Sequence, residues 1–326
     1  MLKSKVKVRF THRSFSLNNT NYAPGTLLVT RAGNENLKDF DSLVQNGARQ
    51  YDRLAIPVKT GLVTNGVDFG SNKVSFLKPP KVALLTGEKV SPYNFGAIWH
   101  FFEQQIGFEI TVINTSYLSS IQLHKYNVIV LPSGYYDDIL DKKLMNKLND
   151  WVKSGGKIVA FGGAISIFES SDNFEISKYG SKKLKDIDIK RRDSIKEKSR
   201  LLSYELRERN SLSQMVQGSV FKTSLDHTNP LGYGYMSTYY SLKTSSKRYA
   251  YLKSGYNVGV IKNKTDKISG FAGSNVLEGI DDSLVYGVER KGKGSIVYLI
   301  DDPLFGNFWE NGKLLFSNAI FMVGND

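Results

Sequence analysis

The spacing of apolar positions divides the chain into two regimes. Lys5 to Phe10 alternate, with Val6, Val8 and Phe10 on one side and Lys5, Lys7 and Arg9 on the other, which predicts a half-buried strand. Ser14 to Leu17 and Thr26 to Thr30 predict two more strands around an Asn18-Asn19 turn. Asn36 to Ala48 predicts a helix, with Leu37, Phe40, Val44 and Ala48 on one stripe, and Leu54 to Val58 a further strand. These residues make a small N-terminal α/β unit, 1–78, that ends at the Pro79-Pro80 linker.

From 79 to 326 the pattern changes to short runs that are apolar throughout, separated by amphipathic helices. The runs are Val82 to Leu85, Glu109 to Ile113, Val128 to Leu131 and Ile158 to Phe161, with helices predicted over Asn94 to Ile106 and Ile139 to Lys153. Such alternation predicts an α/β fold with a parallel sheet covered on both faces. Residues 177–217 break the rhythm and predict a helical insertion around Ile195, Ser199, Leu202 and Leu206. Strands return at Val220 to Leu225, Val258 to Ile261, Leu284 to Val288 and Ser295 to Ile300, before a last helix over Lys313 to Met322.

Charge changes this picture only locally. The net charge is +13, and between Lys178 and Arg209 twelve Lys/Arg face six Asp/Glu. With only Tyr179 and Tyr204 there for stacking and acids interspersed, the insertion reads as a solvated helix and does not suit nucleic acid. The chain has no cysteine, which excludes disulfides, thiolate zinc sites, iron–sulfur clusters and a thiolate nucleophile. No apolar run reaches the roughly 18 residues of a membrane span. Met1 to Lys7 is basic with no apolar core after it, so an export signal is expected only on a longer parent.

Candidate chemistry centres on the turn Phe161-Gly162-Gly163-Ala164, where a strand runs directly into a helix start. That is the shape of a nucleophile elbow, with glycine at the nucleophile position. Together with Val82 to Gly87 and Leu131-Pro132-Ser133-Gly134, this turn resembles the class I glutamine amidotransferase-like domain, and the resemblance implies a flavodoxin-like sheet. The whole chain resembles the C-terminal region that follows the catalytic domain in bacterial zinc carboxypeptidases. The matching pieces include Pro24-Gly25-Thr26-Leu27, Arg31-Ala32-Gly33-Asn34, Ser91 to Gly96, Asn229-Pro230-Leu231, Gly270 to Gly273 and Gly292-Lys293-Gly294. The resemblance implies a peptidase domain as partner, and a periplasmic or extracellular parent. Carried over, the amidotransferase nucleophile falls on Gly162 and its histidine on Asp301 or Asp302, so neither triad member is present. Only backbone N–H groups near Gly134 and Gly163 would remain of an oxyanion hole.

His100-Phe101-Phe102-Glu103 and the distant His227 match the spacing of a zinc carboxypeptidase site, the basis of an alternative reading as an active metallopeptidase with zinc. Helical phase puts Phe95, Ile98, Trp99, Phe102 and Ile106 on one stripe and leaves His100 and Glu103 on a polar flank, so no cofactor is expected in this chain.

Ligands of open α/β sheets bind beyond the carboxyl ends of the strands. That selects Ser91, Tyr93, Gly134, Tyr135, Gly162, Gly163, Asp301 and Asp302 as cleft candidates for a small peptide or sugar. Each has a plainer role beside it. Ser91 before Pro92 suits a helix N-cap, the glycines suit close strand–helix approach, and Asp301-Asp302-Pro303 suits a turn cap as well as a cation or base site. The tyrosine-dense stretch Tyr233 to Tyr240 suits either a sugar- or peptide-binding surface or a buried edge.

Overall fold

The computed structural model describes residues 1–169, 171–179, 197 and 200–325, so Ile195 and Ser199 of the expected insertion lie outside the described residues. The centre is a ten-stranded sheet. Its parallel half contains β7 (Val82–Thr86), β8 (Thr111–Asn114), β9 (Val128–Leu131), β10 (Lys157–Phe161) and β16 (Gly294–Leu299), in the spatial order β8-β7-β9-β10-β16. Counted along the chain this is 2-1-3-4-5, the flavodoxin-like order also found in class I glutamine amidotransferase-like folds.

Strand alternation explains why these runs are apolar at every position. Val82, Leu84, Val128, Val130, Val159, Phe161, Val297 and Leu299 point to one face, covered by α2 (Pro92–His100) and α7 (Glu310–Phe321) through Ile98, Phe101, Leu315 and Phe316. Ala83, Leu85, Ile129, Leu131, Ile158, Ala160 and Ile296 point to the other, against α3 (Lys142–Lys153) and the short α4 (Ser166–Glu169) through Leu144, Leu148, Val152 and Phe168. Lys157, at the start of β10, is buried and donates to the carbonyls of Ile320 (2.6 Å) and Val323 (2.7 Å), tying down the end of α7.

The sheet is mixed, which corrects the expectation of parallel strands throughout. Beyond β16 come β15 (Ser283–Lys291), β13 (Tyr256–Ile261), β11 (Val216–Leu225) and β12 (Thr238–Lys243), all antiparallel to their neighbours. β11 joins β13 only through Ser224 and Leu225, while its earlier residues pair with β12 on one side and β14 (Lys267–Ala272) on the other. Strand directions make this three-stranded ribbon project past the carboxyl ends of the parallel strands. Short connections allow it, because antiparallel neighbours need no covering helix.

The N-terminal unit holds more strands than expected, and the Asn18-Asn19 turn brings Phe15–Leu17 onto Thr20–Tyr22 instead of onto the Thr26 to Thr30 run. It holds two small sheets. The first contains β1 (Arg9–Thr11), β4 (Leu27–Leu28) and β6 (Val74–Phe76); the second contains β2 (Phe15–Leu17), β3 (Thr20–Tyr22) and β5 (Asn65–Gly66). Val6 and Val8 are buried as their alternation predicts, yet the strand itself begins only at Arg9. Leu54 to Val58 forms no strand and is exposed throughout, because no neighbouring edge pairs with it. The helix α1 (Phe40–Arg49) is present. The tyrosine-dense stretch anchors this unit. Tyr233 is buried against Phe10 and closes on Gly25, and Tyr233 Oη lies 3.4 Å from His12 Nδ1. Within the expected insertion, α5 (Tyr204–Ser213) is helical at Leu206 but begins after Leu202. The short α6 (Ser274–Leu277) follows β14.

Candidate functional site

The carboxyl ends of the parallel strands gather the expected residues, but use most of them internally. Ser91 is the N-cap of α2: its side chain accepts from Asn94 N, and Pro92 occupies the first turn. The loop after β7 and the loop after β9 then close on one another. Ser91 N donates to Ser133 O (2.8 Å), Tyr135 N donates to Lys89 O (3.0 Å), and Val90 bridges Gly134. A Cβ at Gly134 would lie 2.6 Å from Lys89 O, so glycine is what lets the loops meet. Between β7 and β9 the strand order reverses, the point at which ligands of such sheets usually enter. Here that crevice is stitched by backbone hydrogen bonds.

The elbow follows β10 as predicted. Gly162 has φ +42°, the left-handed region in which only glycine is unstrained, and a Cβ there would stand 3.1 Å from Ser133 Oγ. Gly163 N donates to that same Ser133 Oγ (3.0 Å), so one of the two N–H groups suggested for an oxyanion hole is already engaged. A Cβ at Gly163 would approach Gly134 O to 2.8 Å. The elbow is therefore built around the Ser133 hydroxyl, against which a Cβ at 162 would sit tightly.

Asp301 and Asp302 part company. Asp302 Oδ1 accepts from Leu304 N (2.9 Å), the turn cap anticipated above, and its Oδ2 accepts from Asn94 Nδ2 (2.8 Å). Asn94 in turn accepts from Ser133 N (2.7 Å), which links Asp302 to the elbow through one amide. Burial raises the Asp302 carboxyl to about 6, with the neighbouring Asp301 charge adding to it and the Leu304 and Asn94 donors opposing it. Asp301 is buried and pairs with buried Lys243 of β12 (Nζ to Oδ1, 3.2 Å). Its Oδ2 is buried with no hydrogen-bond partner. Tyr239 and Tyr286 lie alongside, their hydroxyls pushed up by burial first and by Asp301 in addition, Tyr239 to about 12. Gly134 and Asp301 thus face the interior, whereas Tyr93 (90% exposed) and Tyr135 (75% exposed) stand in solvent.

The metallopeptidase set is not assembled. Among the described residues no group of three His, Cys, Asp or Glu could hold a metal ion. His100 Nδ1 accepts from Asn307 Nδ2 (2.8 Å), while Glu103 and His227 are exposed on separate elements. The helical stripe also shifts: Phe101–Gln105 is a π-helical turn, so Phe101 and Phe102 are both buried and Trp99, assigned to the apolar stripe, is 39% exposed.

Sequence reasoning missed Asn94, Ser133 and Lys243. Two had a readable signal. Asn94 occupies an inward position one turn before Ile98, and Lys243 falls on the inward face of the alternating Tyr239-Ser241-Lys243. Ser133 had none, since its role depends on the approach of a loop that follows another strand.

No protein-family model and no curated protein sequence matches the chain. Solved structures do. One described as a ThuA-like protein from Bacteroides uniformis has a TM-score of 0.43 at 12% identity, covering 74% of this chain and 90% of that one. A second, described as a GMP synthase component from Thermoplasma acidophilum, gives 0.44 at 11%, with 74% and 94% covered. A glutamine amidotransferase from Thermotoga maritima gives 0.43 at 7%, with 74% and 97% covered. The strand order is what assigns the fold of this chain: a flavodoxin-like sheet.

Proposed function

We propose that this chain is a non-catalytic, amidotransferase-like accessory region of a zinc carboxypeptidase-type protein, which binds a small peptide or sugar or packs on the peptidase domain. The observation that carries the non-catalytic part is the elbow itself. Position 162 is a glycine at left-handed φ facing Ser133 Oγ, and the adjacent N–H is already donated to that hydroxyl. Covalent acyl transfer needs a nucleophile, a base within reach and free oxyanion donors. At the base position, Asp301 is paired with Lys243 and Asp302 with Asn94. The accessory part rests on the full-length sequence resemblance. The exposed rings of Tyr93 and Tyr135 beside the elbow support a binding role, as flat amphipathic surfaces that the fold does not use.

The test is a turnover assay on purified chain with glutamine, short peptides and p-nitrophenyl esters, repeated on Ser133→Ala and Asp302→Asn. The expected result is no turnover above the blank in any of the three proteins. Hydrolysis by the wild type that either substitution abolishes would overturn the reading.

A further inference from the structure

The sequence contains three Asn-Gly pairs, Asn46-Gly47, Asn65-Gly66 and Asn311-Gly312, and none of them belongs to the site described above. Asparagine is a thermolabile residue, and most so before glycine, whose nitrogen is not shielded by a side chain and can close on the asparagine Cγ. Whether it closes depends on how freely the backbone bends there and on access of water. The fold gives the three pairs different answers.

Two of the pairs are held in helices. Asn46 and Gly47 lie inside α1, where the Gly47 N–H is taken up in the helical ladder. Asn311 and Gly312 lie in the first turn of α7, where Gly312 N donates to Trp309 O (3.0 Å) and a Cβ at Gly312 would stand 1.8 Å from Pro303 O. Ring closure at either pair would break such a bond and move packed backbone.

The third pair is open. Asn65 and Gly66 are the whole of β5, an edge strand that pairs with β2 alone, Asn65 opposite Ser16 and Gly66 opposite Phe15. Both residues are exposed, and the Asn65 side chain makes no hydrogen bond among the described residues. Gly66 also lines an open cavity of about 660 Å³ with Gly61, Asp68 and Ser71, which gives water access to it. The fold excludes protection by a larger residue after the asparagine: Gly66 has φ +97°, and a Cβ there would stand 2.5 Å from Ser14 O.

We propose that Asn65 is a site of spontaneous deamidation through a cyclic imide. The Gly66 nitrogen loses its proton and attacks Asn65 Cγ; the Cγ–Nδ2 bond breaks, and the side-chain nitrogen takes up a proton and leaves as ammonia. Water then cleaves one of the two C–N bonds of the imide. Cleavage at Cγ leaves an aspartate at position 65, and cleavage at the main-chain carbonyl leaves an isoaspartate, whose backbone runs through the side chain and is one methylene longer. Either product adds a negative charge at neutral pH. The longer backbone also takes β5 out of register with β2, at the edge of the cluster of Phe15, Leu17 and Leu28 on which Val63, Val67 and Phe69 pack. This inference is independent of the proposed accessory role.

The experiment is incubation of the full chain at mildly alkaline pH, with a parallel sample in concentrated urea, followed over time by peptide mapping and tandem mass spectrometry with electron-transfer fragmentation. The expected result in the folded chain is conversion at position 65 to both aspartate and isoaspartate, at least about tenfold faster than at Asn46 or Asn311, the ratio that loss of one backbone hydrogen bond before ring closure would produce. The rate should rise with pH, and in urea the three positions should converge. Asn65→Gln, which would need a larger ring, should remove the modification and leave the two helical positions unchanged. Equal rates at the three positions of the folded chain, no conversion at position 65 while it proceeds in urea, or aspartate there without isoaspartate would each overturn the proposal.

Discussion

The two halves of the large sheet are held by different means. In the parallel half β7, β9 and β10 are buried on both faces and sandwiched between helices, while the edge strand β8 is largely exposed, and Lys157 is the one buried charged residue in β7 to β10 among the described residues. In the antiparallel half, buried Ser219, Thr223, Ser241, Lys243, Ser283 and Glu289 stand among the apolar positions. Glu289 accepts from Tyr298 Oη (2.7 Å) and Glu175 N (3.0 Å), Thr223 Oγ1 donates to Ser241 Oγ (3.0 Å), and Lys243 reaches across to Asp301. Apolar contact tolerates small changes of shape, whereas a buried polar pair fails when either partner is lost. The seam between the halves is β16, and the elbow, Asp301 and Asp302 all lie along it.

The sharpest way to break this comparison is at the Lys243–Asp301 pair. Lys243→Ala should destabilise the chain by about 3–5 kcal/mol, because it leaves a carboxylate buried without compensation. Replacing both residues, Lys243→Met with Asp301→Leu, should cost much less than the single change. Urea denaturation of the three proteins measures this, and equal losses in the single and double variants would show that the ribbon is not held by the pair.

A second contrast comes from pH. Burial lowers the Lys157 ammonium to about 7, with the Lys78 charge adding to it. Between about 7 and the ordinary lysine value near 10.5 the unfolded chain therefore binds more protons than the folded one, so this group makes stability rise with pH across that window. Below about 7 its full penalty is present. The stability of wild type relative to Lys157→Met should thus increase from pH 7 to pH 10, followed by denaturation at each pH. A pH-independent difference would place the ammonium in contact with water.

The smallest expected effect is at the helix that enters the site. Ser91→Ala should lose only about 0.5–1 kcal/mol, since the cap bond to Asn94 N is long (3.4 Å) and Pro92 still presets the first turn. A loss of several kcal/mol in thermal unfolding would mean that Ser91 supports the stitched loops through more than its cap.

How far the sequence was legible follows the same division. β7, β9 and β10, with α2, α3 and α7, fall where apolar spacing places them, because a strand buried on both faces must be apolar at nearly every position, whereas the exposed edge strand β8 starts two residues later than its apolar run. β3, β5, β6, β12 and β14 were not anticipated. Thr238 to Lys243 carries its pattern on polar and aromatic side chains, and β14 is exposed over Ser269 to Phe271. Leu54 to Val58 shows the converse: an apolar run, interrupted by Pro57, that forms no strand because no edge pairs with it.

At the site, the sequence by itself determined what chemistry is missing. Without cysteine, no arrangement of this chain yields the thiolate nucleophile of an amidotransferase triad. Tertiary structure decided what the remaining groups do. Only the pairing of loops that follow different strands turned Ser133 onto the Gly163 N–H, closed the crevice between β7 and β9 and sent Asp301 inward to Lys243. The reason is physical: residue identity fixes which bonds can form, but partners from distant parts of the chain decide which of them do.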